Sequence, residues 1–244
     1  MLFLKANSQV RSPTVYAVFR HNEINYLIME FIEGEELSTE TWLGLSDDGR
    51  TKLLSRLCEQ FRLLRAIPSP GYYGRVYHQG WRRICRLFHG RQDKMCGPYD
   101  NYRDLLSASI DTLHVLSVLG YESPEFLSNE PEHIAQVEST LATCSGLEPT
   151  FTHLDPAMNN IIRPIRDGED WEVTWIDWED SGWLPAYMQV VAIRNKLFLA
   201  RGYEDLREET NQMMGKVYES FPESYTKQLE IFLFLLEYFG YAPI

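Results

Sequence analysis

The segment Phe151-Thr-His-Leu-Asp-Pro-Ala-Met-Asn-Asn-Ile-Ile162, with Val173-Thr-Trp-Ile-Asp-Trp-Glu-Asp180 shortly after it, constrains this chain more than any other feature. Asp155 is followed five positions later by Asn160, and Asp177 ends the next hydrophobic strand. A loop running into a hairpin brings those three side chains to one point. Ile161, Ile162 and Pro164 read as the first strand, Arg166-Asp-Gly-Glu-Asp170 as the turn, and the alternating Trp171, Val173 and Trp175 as the second. At this spacing Asp155 suits the orientation of an attacking hydroxyl, and Asn160 and Asp177 suit magnesium held against nucleotide phosphates.

Composition bounds this reading. The chain has 244 residues, 44% of them hydrophobic, enough to bury a full core as one large or two small domains. A formal net charge of -12 argues against nucleic acid, whose phosphates need a basic stripe, and is compatible with a cationic or neutral small substrate. Cys58, Cys85, Cys96 and Cys144 lie far apart with no Cys-x-x-Cys pair, so neither a zinc site nor a disulfide framework is indicated, and a reduced cytoplasmic setting fits. The longest aromatic-aliphatic stretch, Ile231 to Leu236, is far short of the roughly 20 residues of a membrane span. The amino terminus lacks a signal-peptide pattern, and no membrane anchor is expected.

Along the chain, Met1 to Lys5 reads as a helix tail, and Val15 to Phe19 and Tyr26 to Glu30 as strands joined by a turn over Arg20 to Asn25. Gly34 breaks the second strand. Glu33, Glu35 and Glu36 read as the acidic start of a helix. From Ser46 the pattern turns helical: Leu53, Leu54, Leu57, Phe61 and Leu64 recur on one face, Ser46 or Asp47 caps the start, and Pro68 stops the end. Further helices are expected over Asp104 to Leu119, Glu130 to Cys144, Ala186 to Ala200, Glu204 to Phe221 and Glu223 to Phe239. The last carries Leu229, Phe232, Leu233, Leu236 and Phe239 inward. Trp171, Trp175, Trp178 and Trp183 read as core in preference to a substrate platform. Arg82, Arg83 and Arg86, flanked by His78 and His89, read as a solvated helix face. A strand-rich piece followed by a larger helical one implies an α+β protein in two lobes with a cleft between them.

With these residues placed, the chain resembles the aminoglycoside phosphotransferase family of kinase-like phosphotransferases, which is also similar to choline kinases and more distantly to protein kinases. Tyr26-Leu-Ile-Met-Glu-Phe-Ile-Glu-Gly-Glu-Glu-Leu37 looks like the strand and hinge, Phe151 to Ile162 like the catalytic loop, and Trp175 to Tyr187 like the metal-binding segment. Ile67-Pro-Ser-Pro-Gly-Tyr-Tyr-Gly74 and Gly97-Pro-Tyr99 are similar to loops common in members of undefined substrate. The resemblance implies a protein-kinase-like two-lobe α+β fold, with residues 1–36 as a partial small lobe and hinge and residues 37–244 as a helical large lobe. It implies ATP and magnesium as cofactors. Asp155 would accept or orient the substrate hydroxyl proton, and His153 would brace the loop. Asn160 and Asp177 would ligate magnesium, with Asn159 the neighbour a shifted loop would use. Met29, Glu30, Phe31 and Ile32 would line the adenine edge.

The chain also departs from the family pattern. A phosphate-covering turn, a strand lysine and a helix glutamate precede, in the family, the segment with which this chain begins, and Lys5 does not fill the lysine's role. The expectation is an amino-terminally truncated member. Losing one preorganised contact to developing charge costs about a hundredfold to a thousandfold in rate, so turnover would be impaired. The strand faces left bare would need covering by a partner or a second copy of the chain. Inside the loop, Leu154 stands where the family has a small residue, and Pro156 fixes φ and removes a donor. Three functions are in play: an ATP-dependent small-molecule phosphotransferase, a nucleotide-independent repurposed enzyme, and a catalytically silent pseudokinase binding module.

Overall fold

The structure, a computed structural model, describes residues 1–81, 97–118, 128–163, 172–197 and 215–239. In chain order the elements begin with α1 (Leu2–Asn7), β1 (Val15–His21), β2 (Ile24–Met29), β3 (Glu35–Glu36), α2 (Thr39–Gly44), α3 (Asp47–Arg65) and β4 (Gly74–Arg75). Then come α4 (Tyr102–Val118), α5 (Glu130–Thr143), β5 (Pro149–His153), a 3-10 turn (Met158–Asn160), β6 (Ile161–Arg163) and β7 (Thr174–Trp175). A second 3-10 turn (Trp178–Asp180), β8 (Ser181–Pro185), α6 (Met188–Ala192), a π-helix (Ile193–Leu197) and α7 (Thr226–Phe239) complete the set. Pro164, the expected turn at 166–170, Trp171, Cys85, Cys96, the arginines at 82, 83 and 86, His89 and the first part of the helix expected over 204–221 lie outside the described residues.

The chain forms two compact units: residues 1–67, 155–179 and 196–222 in one, residues 68–154, 180–195 and 223–244 in the other. In the first, β1 and β2 pair antiparallel, with His21 opposite Ile24, so only Asn22 and Glu23 form the turn. Both have left-handed backbone, φ 48 and 66, the conformation that matches the twist of a tight hairpin. The turn is narrower than the expected Arg20 to Asn25, since Arg20 pairs with Asn25 and His21 with Ile24 as strand residues. Phe19 and Tyr26 stack across the strands at 5.0 Å.

A second correction concerns Glu35 and Glu36. They do not start a helix but form β3, antiparallel to β6, with Glu36 opposite Ile162. The helix begins only at Thr39, where Ser38 Oγ accepts the Thr41 N–H and the Thr41 hydroxyl accepts the Ser38 N–H, a closed capping box. The sheet β3-β6-β7 and the Leu37 N–H donated to Ile161 O, 2.8 Å, fix the start of the hairpin that carries the motif. Beneath it runs α3, capped by Ser46 Oγ on Gly49 N–H at 3.1 Å, with Asp47 and Asp48 in its first turn and Arg62 and Arg65 in its last. Leu53, Leu54, Leu57, Phe61 and Leu64 are all buried, and Phe61 meets Trp175 of β7 edge-on at 5.2 Å. The helix face read from periodicity is thus the face under the site.

In the second unit β8 is the centre of the sheet β4-β8-β5 and is buried along its whole length. A Cβ at Gly182 would collide with the Gly74 carbonyl and the Trp81 ring, so this strand crossing admits only glycine. Trp183 lies edge-on to Phe151 at 5.1 Å and, like Trp175 and Trp178, is core. On β5 of this sheet packs α6, which also meets α7, and α5 packs between α7 and α4. Among the described side chains of α7, Gln228, Ile231, Phe232 and Leu235 are buried and Leu233 is exposed, against the inward position expected for it; the expected inward Leu236 and Phe239 lie outside the described side chains. The buried Gln228 amide is satisfied there, its Nε2 donating to Ser145 O at 2.8 Å.

Candidate active site

The motif loop starts where β5 ends. His153 is 1% exposed, pairs with Ser181 of β8, and has both backbone groups bound by one side chain. Its N–H donates to Gln189 Oε1 at 2.9 Å, and Gln189 Nε2 donates back to His153 O at 3.1 Å. Gln189 is fully buried on α6, the one polar residue in a run, Ala186 to Ile193, that is otherwise apolar or aromatic. This residue was missed in the sequence, although a lone amide in such a run is a signal that a buried backbone group needs a partner. Gln189→Ala is expected to lower stability by about 2–4 kcal/mol, since it orphans a buried donor and a buried acceptor. Chemical denaturation measures it, and an unchanged midpoint would remove Gln189 as the anchor.

After His153, Leu154 N–H donates to Asp180 O, and the chain turns through Asp155 and Pro156 into the 3-10 turn. That turn lets Asn160 reach back over five residues. Its Nδ2 donates to Asp155 O at 3.0 Å and to Asp155 Oδ2 at 3.1 Å. Asn160 is buried and Asn159 exposed, so the geometry distinguishes the two neighbours that spacing left close. With the amide nitrogen committed to Asp155, the Asn160 carbonyl oxygen is the atom left for a ligand. It receives one long contact, from Asn159 Nδ2 at 3.5 Å.

The two halves of the motif are joined through backbone. Ile176 N–H donates to Asn160 O at 3.0 Å, which sets Asp177 beside the Asn160 loop. Asp177 has φ 57, left-handed backbone that few non-glycine residues adopt, and it is bracketed by Trp178 Nε1 donating to Trp175 O at 2.8 Å. Such conformations persist where surrounding structure over-determines them, and they cluster at functional sites. Partial desolvation pushes the Asp177 carboxyl above its ordinary range, and the charges of Glu179 and then Asp155 push the same way. Among the described residues no ion pair or hydrogen bond to its carboxylate offsets that charge. A hard divalent cation held by one amide oxygen, one carboxylate and the phosphates of a bound nucleotide fits this donor set. No group of three or more His, Cys, Asp or Glu converges among the described residues.

Asp155 has a further neighbour that the sequence did not announce: Lys196 Nζ on the π-helix is 3.6 Å from Asp155 Oδ1. The expected hinge residues lie in and after β2. Met29 pairs with Val15. Glu30 N–H donates to Thr14 O at 2.8 Å, and Glu30 Oε2 accepts the Thr14 N–H at 3.0 Å, which lowers the Glu30 carboxyl. The Glu30 N–H is thereby committed to the pairing with Thr14. Phe31 is 87% exposed.

The family model for the phosphotransferase enzyme family, APH, matches residues 1–221. The chain belongs to this family. Its fold is the mixed α+β, kinase-like fold of solved phosphotransferases. A thermostable mutant of aminoglycoside phosphotransferase APH(4)-Ia, in apo form, aligns with a TM-score of 0.60 at 15% identity, covering 94% of this chain and 69% of that one. ADP-bound aminoglycoside phosphotransferase APH(2'')-Ib aligns with a TM-score of 0.57 at 16% identity, covering 95% and 68%. Ethanolamine kinase from Plasmodium vivax aligns with a TM-score of 0.52 at 21% identity, covering 94% of this chain and 60% of that kinase. At such identities the likeness carries the fold alone. No curated protein matches the chain by sequence. No helix among the described residues is long and apolar enough to cross a membrane.

Proposed function

We propose that this phosphotransferase-family chain transfers the γ-phosphate of ATP to a hydroxyl of a small molecule, with magnesium as cofactor. The observation that carries the reading is the Asp155–Asn160 hydrogen bond, joined through Ile176 to an Asp177 held in left-handed backbone. In this reading Asp155 orients the acceptor hydroxyl and takes its proton. The hydroxyl oxygen bonds to the γ-phosphorus as the bond to the β–γ bridging oxygen breaks, and ADP leaves. Asn160 Oδ1 and Asp177 would hold magnesium, which when bound spreads the charge of the transferring group. His153, anchored by Gln189, braces the loop, and Phe31 and Ile32, with Met29 and Glu30 before them, face the adenine.

Residues 1–36 act as small lobe and hinge and residues 37–244 as large lobe. The related structures support this reading by their names: one is described as ADP-bound, and aminoglycosides and ethanolamine are hydroxylated amines. A net charge of -12 favours an acceptor of that cationic kind. Free thiols at Cys58 and Cys144 fit a cytoplasmic setting.

A second reading, a silent binding module, is favoured by one observation. Tyr16, Val18 and Phe19 on β1, and Ile24, Leu27, Ile28 and Met29 on β2, are all exposed, an apolar surface that a second copy or a partner would cover. Calorimetric titration with ATP, with and without magnesium, separates the readings. Magnesium-dependent binding is expected, followed by phosphoryl transfer to hydroxylated amines. A folded chain that takes up no nucleotide at millimolar ATP sinks the first reading and leaves the second.

A further inference from the structure

The ion pairs Arg20–Glu23, Lys52–Asp48 and Arg56–Glu59 are local pairs on the surface, each between residues three or four apart. Arg11–Glu172 also joins distant segments, but only Lys196–Asp155 among the ion pairs of the described residues has as its acid the central residue of the candidate site. Three features of that element bear on its role. It is a π-helix, a wide turn that is rare in proteins and recurs at functional positions. Ile193 and Leu197, both fully buried, clamp its ends, and Lys196 is the exposed residue before the second clamp. Asn195 Nδ2, in the same turn, is buried without a hydrogen-bond partner among the described residues.

We propose that Lys196 is a positioning residue of the phosphoryl-transfer site, holding Asp155 Oδ1 while Asn160 holds Oδ2. This rests on the phosphotransferase reading given above. The two contacts grip opposite oxygens of one carboxylate, at 3.6 Å from Lys196 Nζ and 3.1 Å from Asn160 Nδ2, and so fix the plane in which Asp155 meets an acceptor hydroxyl. Lys196 is longer-range than a hydrogen bond, whose N–O distance is about 2.7–3.2 Å, so it acts as a charge and does not block the oxygen it faces. The charges of Glu179 and Asp155 both bear on Asp177, and a nucleotide triphosphate would add further negative charge beside a carboxylate that Lys196 faces. A compact ammonium with three rotatable donors can remain on Asp155 as the attacking oxygen nears the γ-phosphate.

The test has two arms. In kinetics, Lys196→Met is expected to lower kcat about tenfold to a hundredfold with KM for ATP nearly unchanged, and Lys196→Arg to recover most of the loss. A lysine that only stabilised the fold would lower the melting temperature without that split, so a wild-type kcat in a folded Lys196→Met chain overturns the proposal. The second arm does not need activity. Lysines are reductively methylated with carbon-13, the Lys196 resonance is assigned by its loss in Lys196→Arg, and its shift is compared in wild type and Asp155→Asn. A shift is expected, and an unmoved resonance overturns the pair. A chain that shows the shift but turns over no hydroxylated amine with ATP overturns the phosphotransfer reading, and with it the catalytic use of the pair, while leaving the ion pair established.

Discussion

Asp155→Asn is expected to lower kcat by about a hundredfold to ten-thousandfold, the range that general-base and orienting carboxylates supply. Magnesium–nucleotide affinity should change by no more than about threefold, because the ligands assigned to the metal are Asn160 and Asp177. The geometry gives the reason for the split. Asp155 is joined to Asn160 through both its backbone carbonyl and Oδ2, so an asparagine can preserve one acceptor to Asn160 Nδ2 and hold the loop. What it cannot preserve is a second carboxylate oxygen that accepts a proton, and it turns an amide toward Lys196 Nζ. Single-turnover phosphoryl transfer with titration calorimetry on the same preparation makes the comparison. Loss of nucleotide affinity together with rate would assign Asp155 to the metal and displace it from the hydroxyl.

The parts of this site that were legible in the sequence are those encoded by short-range spacing. Asp155 and Asn160 are linked by a turn of one fixed length, and the ladder β6–β7 brings Ile161 opposite Trp175, two residues short of Asp177. Likewise α3 was legible because apolar residues at helical spacing bury one face, and Ser46 is a capping side chain at its start. The parts that were not legible depend on long-range partners. Nothing local to Glu35 and Glu36 distinguishes an acidic helix start from a strand that pairs with Ile162, so the β6 edge decides. Gln228 is buried on α7 with its amide donated to Ser145 O, a partner 83 residues earlier that no local spacing reveals. Lys196 has no signature in its own neighbourhood, because its partner is a residue the chain meets only after folding.

Removing the Asp177 carboxylate is expected to separate stability from function more sharply than any other single change. Asp177→Asn should abolish magnesium-dependent ATP binding, since an amide in that place offers one neutral oxygen where the cation needs an anionic one. The same variant should be more stable than wild type at pH 7. Burial, Glu179 and Asp155 all raise the Asp177 pKa on folding. A carboxyl raised in this way leaves the fold at full stability below its unfolded value, about 3.9, and removes stability as pH rises through the higher folded value. Asparagine does not ionise, so the variant's advantage should vanish in acid and open as pH rises. Asp177→Ala controls for backbone: at φ 57 asparagine is tolerated as aspartate is, whereas alanine costs about 1–2 kcal/mol. The alanine variant should therefore lose nucleotide binding and also lose stability relative to the asparagine variant. Thermal denaturation of the three chains at pH 4 and pH 7, with calorimetry at pH 7, reads all of these outcomes. An Asp177→Asn chain that binds ATP as wild type does would take Asp177 out of the metal site. One that binds nothing but is less stable than wild type at pH 7 would show that the carboxylate is already paired in the free protein.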